Sequence, residues 1–292
     1  MMARATLLDT YPRFTRLWES TRSDSLDTQI DRWAQEYLAP CPELLRKQQL
    51  CYSREGENWR RIASEHVFPY LSDRLHTMET AHDSIIGTYE RVSDAVTNTL
   101  DFDEEVTLVI YVGIGCGAGW ATRYNGTPAI LLGLENMAEC GWIEPDKVAG
   151  LIAHEFGHLV HSKLRDDSGV ADGSGPWWQL YREGFAQSCE QLVVGSESWH
   201  MRDGSGNEDW VTWCGDNRAW LAQEFLRAVD EGESVRPFFG SWYEIEGRSQ
   251  TGYYLGRELM GCLRSTLSLR AIALLQPDDS RLKETLLRIA SE

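Results

Sequence analysis

The chain lacks any CxxC pair, and its seven cysteines, at 41, 51, 116, 140, 189, 214 and 262, are odd in number. That argues against a disulfide framework and against structural zinc on thiolates, and favours reduced thiols in a cytoplasmic compartment. Basic residues are few: 28 Lys and Arg face 45 Asp and Glu, for a net charge of −17, and no run gathers them into a stripe. A nucleic-acid partner tracked along its phosphates is therefore not expected. An acidic surface of this kind keeps a protein in solution and can favour basic substrates. Long apolar runs are missing too. The most apolar stretch, 106–121, is Gly-rich and too short to span a bilayer, and Asp9, Arg13 and Arg16 interrupt the first twenty residues, so neither a membrane nor an export signal is expected. Histidine is scarce, seven in 292 residues, which gives weight to any cluster of it.

A chain of 292 residues can build one elaborated domain or two lobes. From about 9 to 98, apolar and aromatic residues recur at three and four positions, as in Leu26, Ile30, Trp33, Tyr37 and Leu38, with a Pro-rich stop at 39–42. A second helical pattern runs from Trp59 through Ile62, His66 and Tyr70. His66, His76 and His82 in this region read as ordinary surface or core histidines. The texture changes at Asp101, where Val106 to Val112 reads as a buried strand and Pro128 to Leu132 as another, with the turn signal Asn125-Gly126 before it. Gly113, Gly115 and Ala118 also fit GxGxxA, with Glu135 further on. A dinucleotide turn has to open a helix, however, and residues 120–132 contain a turn, a proline and strand-like composition, so a closely packed turn is expected instead.

The most informative segment is His154-Glu155-Phe156-Gly157-His158, the HExxH arrangement of zinc hydrolases. Residues i and i+4 share a helix face, so His154 and His158 can point ring nitrogens at one ion. Glu155, about 100° round the helix, cannot join them from the adjacent position but can hold a water. The pattern predicts a helix over about 145–165, opened by Glu144-Pro145-Asp146. A second helix is predicted over about 177–194, with more near 216–231, 251–271 and 278–291. A catalytic zinc site takes three protein ligands. The extended pattern with a third His six residues later fails, because position 164 is Leu and His161 stands where that pattern has Gly. Glu183 lies 25 positions after His158, a distance that fits a loop and an antiparallel partner helix.

The segment Leu180 to Gln187, containing Glu183-Gly184-Phe185-Ala186, resembles the EGFA stretch that carries the third ligand in gluzincin peptidases of the thermolysin and aminopeptidase kinds. With Gly252-Tyr253-Tyr254-Leu255-Gly256, the order of parts over roughly 100–265 also resembles the predicted bacterial zinc-dependent proteases that have HExxH, EG(F/L)A and GYxxG segments. The resemblance implies an α+β, mostly helical, zincin-like fold, with a small sheet at 106–132 packed on the HExxH helix. A helical N-terminal region, 1–100, would precede a catalytic region, 101–292, or the two would form one continuous domain. It implies one Zn2+ on His154, His158 and Glu183, Glu155 as general base, and Tyr253 as oxyanion donor, with Tyr254 about 100° away on the same helix. Thermolysin-like members place Asp four residues after the Glu ligand; this chain has Gln187, so the group orienting a zinc histidine is Gln187 itself or Glu190.

A peptide or protein substrate is the expected partner, gripped as an added strand near Gly117 and Trp120. Arg257 shares a face with Tyr253 and is either a carboxylate binder or a salt-bridge residue. His161 is either a second support for the metal or a plain histidine. The tryptophans from Trp177 onward line a substrate cleft or join helices in the core. Two alternatives keep the same residues: a zinc hydrolase of a non-peptide amide or ester, and a catalytically silent peptide binder on a protease scaffold.

Overall fold

The computed structural model describes residues 5–52, 56, 58–201, 209–240 and 242–292. It is mostly helical, with one small mixed sheet, an α+β protein as expected. The chain divides into two compact units, 1–152 and 153–292.

The first unit opens with a strand, β1 (Ala5–Asp9), ahead of the helices expected from about residue 9 onward. Helices α1 (Tyr11–Thr21), α2 (Leu26–Arg32), α3 (Pro42–Cys51), α4 (Trp59–Ile62) and α5 (Leu71–Leu100) come next. After α2 the chain widens into a π-helix over Trp33–Tyr37, and the expected aromatic stripe fastens this segment to the sheet. The Trp33 indole donates to the Val112 carbonyl at 2.9 Å, and the Val112 N–H donates to the Tyr37 hydroxyl at 2.9 Å. Between α4 and α5 a π-helix over Ala63–Val67 and a 3₁₀ turn over Phe68–Tyr70 replace regular helix around Pro69, which has no N–H to donate and whose ring clashes with the preceding turn.

Strands β2 (Val106–Tyr111), β3 (Gly119–Tyr124) and β4 (Thr127–Gly133) complete the sheet in the order β1-β2-β4-β3. β1, β2 and β4 are parallel, and β3 is an antiparallel edge joined to β4 through Asn125-Gly126, both at positive φ, 49° and 84°, as a two-residue hairpin requires. Because β1 pairs with β2 along its length, Leu7 opposite Leu108, the N-terminal region and the sheet belong to one unit. The two compact units meet at 152/153. The Gly113–Gly115 loop gives its N–H groups to a carboxylate of the chain itself: Gly113 and Gly115 donate to the two oxygens of buried Glu135 at 2.7 and 3.0 Å. A strand, not a helix, comes next, so these glycines serve a tight internal turn. A short helix, α6 (Leu134–Cys140), then leads to α7 (Pro145–Asp167).

Among its described residues the second unit is built of helices, apart from loops and one isolated antiparallel bridge between Ile245 and Arg248: the greater part of α7, then α8 (Gly175–Val194), α9 (Trp210–Asp216), α10 (Arg218–Asp230), α11 (Thr251–Arg264), α12 (Leu269–Ala273) and α13 (Ser280–Ile289). α7 ends where Gly169 takes φ 66° and the Val170 N–H returns to the Arg165 carbonyl at 2.9 Å. α8 carries Pro176 in its first turn.

The spacing of these helices is set by glycine. A Cβ on Gly157 would lie 2.8 Å from the Ala186 Cα and 2.9 Å from the Cys189 Cβ, so α7 and α8 cross backbone to backbone there. A Cβ on Gly184 would lie 2.8 Å from the Cα of Gly256, and one on Gly256 2.9 Å from the Cα of Gly184, which brings α8 against α11. Trp199, Trp210 and Tyr254 pack together in the core, Trp199 stacked on Tyr254 at 5.4 Å, and buried Arg165 holds the carbonyls of Ala273 and Leu275 at 2.9 and 2.8 Å. Among the described residues no helix is long and apolar enough to cross a membrane.

Gly184→Ala is expected to lower stability by about 1–3 kcal/mol or more, because neither backbone at the crossing can yield without moving a helix. Gly87→Ala is the control: it lies inside α5 with open space around its Cα, and gains about 0.4–1 kcal/mol from reduced unfolded-state freedom. Urea midpoints read both, and an unchanged midpoint for Gly184→Ala would rule out the close crossing.

Candidate metal centre

All of the histidines and carboxylates of the candidate centre lie in the second unit. His154 and His158, one turn apart on α7, present their rings edge to face with centroids 4.9 Å apart. Glu183 reaches them from α8, its Oε2 lying 3.2 Å from His154 Nε2 and 3.1 Å from His158 Nε2. Ligand atoms about 2.0–2.1 Å from a tetrahedral ion stand about 3.3 Å apart, so Glu183 Oε2 already keeps from each histidine nitrogen nearly the spacing that one ion needs. Two nitrogens and one carboxylate oxygen make a donor set suited to a borderline cation. The crossing at Gly157 and Ala186 is what allows Glu183 to bridge to the neighbouring helix.

A second cluster meets the same histidine from behind. Glu190, one helical turn beyond Gln187, places its Oε2 3.6 Å from His154 Nδ1, a buried nitrogen without a hydrogen bond among the described residues. The carboxylate is fixed by three other donors: Ser198 Oγ at 2.7 Å, the His200 N–H at 3.0 Å and His200 Nδ1 at 2.7 Å. Both His154–His158–Glu183, in which Glu183 is partly exposed, and the fully buried His154–Glu190–His200 are groups that can hold a metal ion. The first has the better geometry, since Glu190 is already engaged by hydrogen bonds and its 2.7 Å contact with His200 is shorter than two ligands of one ion would keep.

Burial and charge compete in this cluster. Burial disfavours a charged His154, but Glu183 and Glu190 outweigh it and raise its pKa to about 10. Burial lowers His158 to about 4 and also lowers His200, so both are neutral near pH 7. Glu183 is pushed up by burial yet held well below the carboxylate range by His158, His154 and Arg182, and Glu190 is held at about 2 by His200 and His154 against the same burial. One proton on His154 between two carboxylates is the resulting metal-free state. Arg182 Nε donates to His158 Nδ1 at 3.2 Å, which leaves the His158 proton on Nε2, facing Glu183. Coordination through that Nε2 requires the proton to leave it, and Arg182 to turn aside if the proton moves to Nδ1.

The other predicted residues are divided between the centre, the core and the first unit. Glu155 is buried, and its charge helps to raise His154. Tyr253, on the first turn of α11, brings its ring within 5.7 Å of the His154 ring, whereas Tyr254 turns into the tryptophan core. Gln187 donates to the Ser198 carbonyl at 3.0 Å rather than to a histidine, so the group behind His154 is Glu190. His161 turns to the Tyr181 hydroxyl and the Ala273 carbonyl, at 3.1 and 3.2 Å, and burial first, then Arg165, lowers its pKa to about 3. The Arg257 guanidinium donates to Gln191 and Glu258, at 2.9 and 2.8 Å. Gly117 and Trp120 belong to the first unit, Gly117 at φ 135° before β3 and Trp120 on β3 under the Lys47 ammonium. Two members of the centre, Arg182 and His200, carry no motif that points to them: Arg182 is only the neighbour of a candidate ligand, and His200 sits in a Trp-rich connection where no spacing rule applies. Comparisons with protein families, with curated proteins and with solved structures returned no match.

Glu190→Gln is expected to weaken metal binding about 10–100-fold, since the group behind His154 loses its charge; an unchanged affinity by competitive chelation would remove Glu190 from the centre. Metal binding has to expel the His154 proton as long as the pH lies below about 10, so affinity should rise by up to about tenfold per unit between pH 7 and 9. A flat profile over that window would mean that His154 is neutral there.

Proposed function

We propose that this chain is a zinc-dependent peptidase of the gluzincin type on a zincin-like scaffold. The observation that supports it best is that Glu183 Oε2 lies 3.2 Å from His154 Nε2 and 3.1 Å from His158 Nε2, across two helices that cross at Gly157, beside the buried Glu155. A zinc ion on those three atoms supplies Lewis acidity. Glu155, next to a ligand on the same helix, takes the proton of the attacking water and hands it to the leaving amine. Glu190, anchored by Ser198 and His200, keeps His154 in orientation. Tyr253 is the one tyrosine of its pair that faces the histidines, and its hydroxyl serves as the donor to the carbonyl oxygen as negative charge develops there.

The test compares wild type with Glu155→Gln for metal content and for cleavage of a mixed peptide library read by mass spectrometry. Zinc should be retained by both, with cleavage reduced about 10²–10⁴-fold in the variant. Cleavage at the wild-type rate by Glu155→Gln would sink the mechanism, and a metal-loaded wild type that leaves every peptide intact would exclude the peptidase.

A further inference from the structure

We infer that the cavity beside Glu183 is a carboxylate-binding subsite, and that the enzyme prefers peptides that place an anionic group there. The inference rests on the peptidase reading and names the substrate class for the same centre. The cavity, of about 460 Å³, lies wholly in the second unit, and Gly175, Pro176, Trp178, Arg182, Glu183 and Arg236 contribute to its wall. Glu183 is shared between this wall and the histidine cluster.

Two arginines, Arg182 and Arg236, line this space. Arg182 uses only its Nε, on His158; its two terminal nitrogens make no hydrogen bond or ion pair among the described residues. Arg236, exposed on the turn over Arg236–Phe238, lies with its guanidinium 5.1 Å from the centre of the Tyr243 ring. The wall also carries a carboxylate, Glu233, but it is met at 3.1 Å by Arg227 from α10. The cavity opens at the first turn of α8, where Ser174 makes no side-chain cap hydrogen bond, so the helix adds partial positive charge to the same region. A planar guanidinium with two open nitrogens matches a carboxylate in a bidentate geometry. In a peptide that carboxylate is either the C-terminus or an Asp or Glu side chain. A protein with a net charge of −17 repels acidic peptides at long range, so a preference for them has to come from a local cationic site.

The experiment uses the full-length protein carrying Glu155→Gln and measures the binding of four fluorescein-labelled octapeptides by anisotropy. One has a free C-terminal carboxylate, one an internal Glu with a C-terminal amide, one has both, and one is neutral and amidated. At least one carboxylate-bearing peptide should bind about tenfold or more tightly than the neutral one. Which of the first two does so identifies the source. Arg182→Gln and Arg236→Gln, added separately, should each shrink that gap, and Arg236→Lys should restore part of it. Equal binding of charged and neutral peptides, a gap that survives both Arg→Gln changes, or no binding of any of the four would overturn the subsite. Wild type tells the two ideas apart: cleavage of charged and neutral peptides with equal kcat/KM keeps the peptidase and removes the subsite. A binding preference without any cleavage keeps the subsite and removes the peptidase.

Discussion

The second unit depends on helix backbones meeting without side chains between them. At Gly157 against Ala186, and at Gly184 against Gly256, even one added carbon would fall inside van der Waals contact. Those two crossings bring α8 against both α7 and α11, and α8 carries Glu183, Gln187 and Glu190 on successive turns. A wider α7–α8 separation would leave Glu183 unable to lie 3.1–3.2 Å from both histidines. The small residues in HEFGH and in EGFA are thus structural partners of the charged ones. They fix the distance at which a short carboxylate side chain can act across two helices.

Close packing creates an electrostatic problem. Glu183, Glu190, His154, His158 and His200 are all within or beside a core from which water is largely excluded, where an unpaired charge is costly. The cluster resolves it by sharing: two carboxylates are held ionised by one protonated histidine and by hydrogen bonds from neutral groups. This is also the state in which a divalent cation can replace a proton with little movement of the chain. Positive charge in place of the proton on His154 Nε2 satisfies Glu183 directly, while Nδ1 on the far side of the ring stays turned to Glu190.

Much of the second unit was legible in the sequence because its signals are local. The HExxH helix, the Glu183 helix and the three later helical stretches derive from period, caps and stop residues, and Tyr253 and Tyr254 divide their roles as two residues about 100° apart on a helix must. The first unit was less legible. β1 is five residues long and finds its partner about a hundred positions away, so no neighbouring hairpin announces it. β3 is a polar edge strand whose GWATRY composition does not alternate cleanly. The glycines of GIGCG look like a phosphate loop in one dimension; only the fold shows that Glu135 fills that cradle.

The sequence alone determined which side chains could bind a metal, because the i, i+4 repeat of a helix places His154 and His158 on one face wherever that helix sits. It also determined the small residues that permit a second helix to approach. Tertiary structure decided everything that depends on contact between elements distant in the chain. It set Glu190 rather than Gln187 behind His154, brought His200 to Glu190, and put Arg182 beside both His158 and an open cavity. The reason is physical: helical periodicity fixes direction around one axis, whereas distance across two axes is fixed by which backbones can touch.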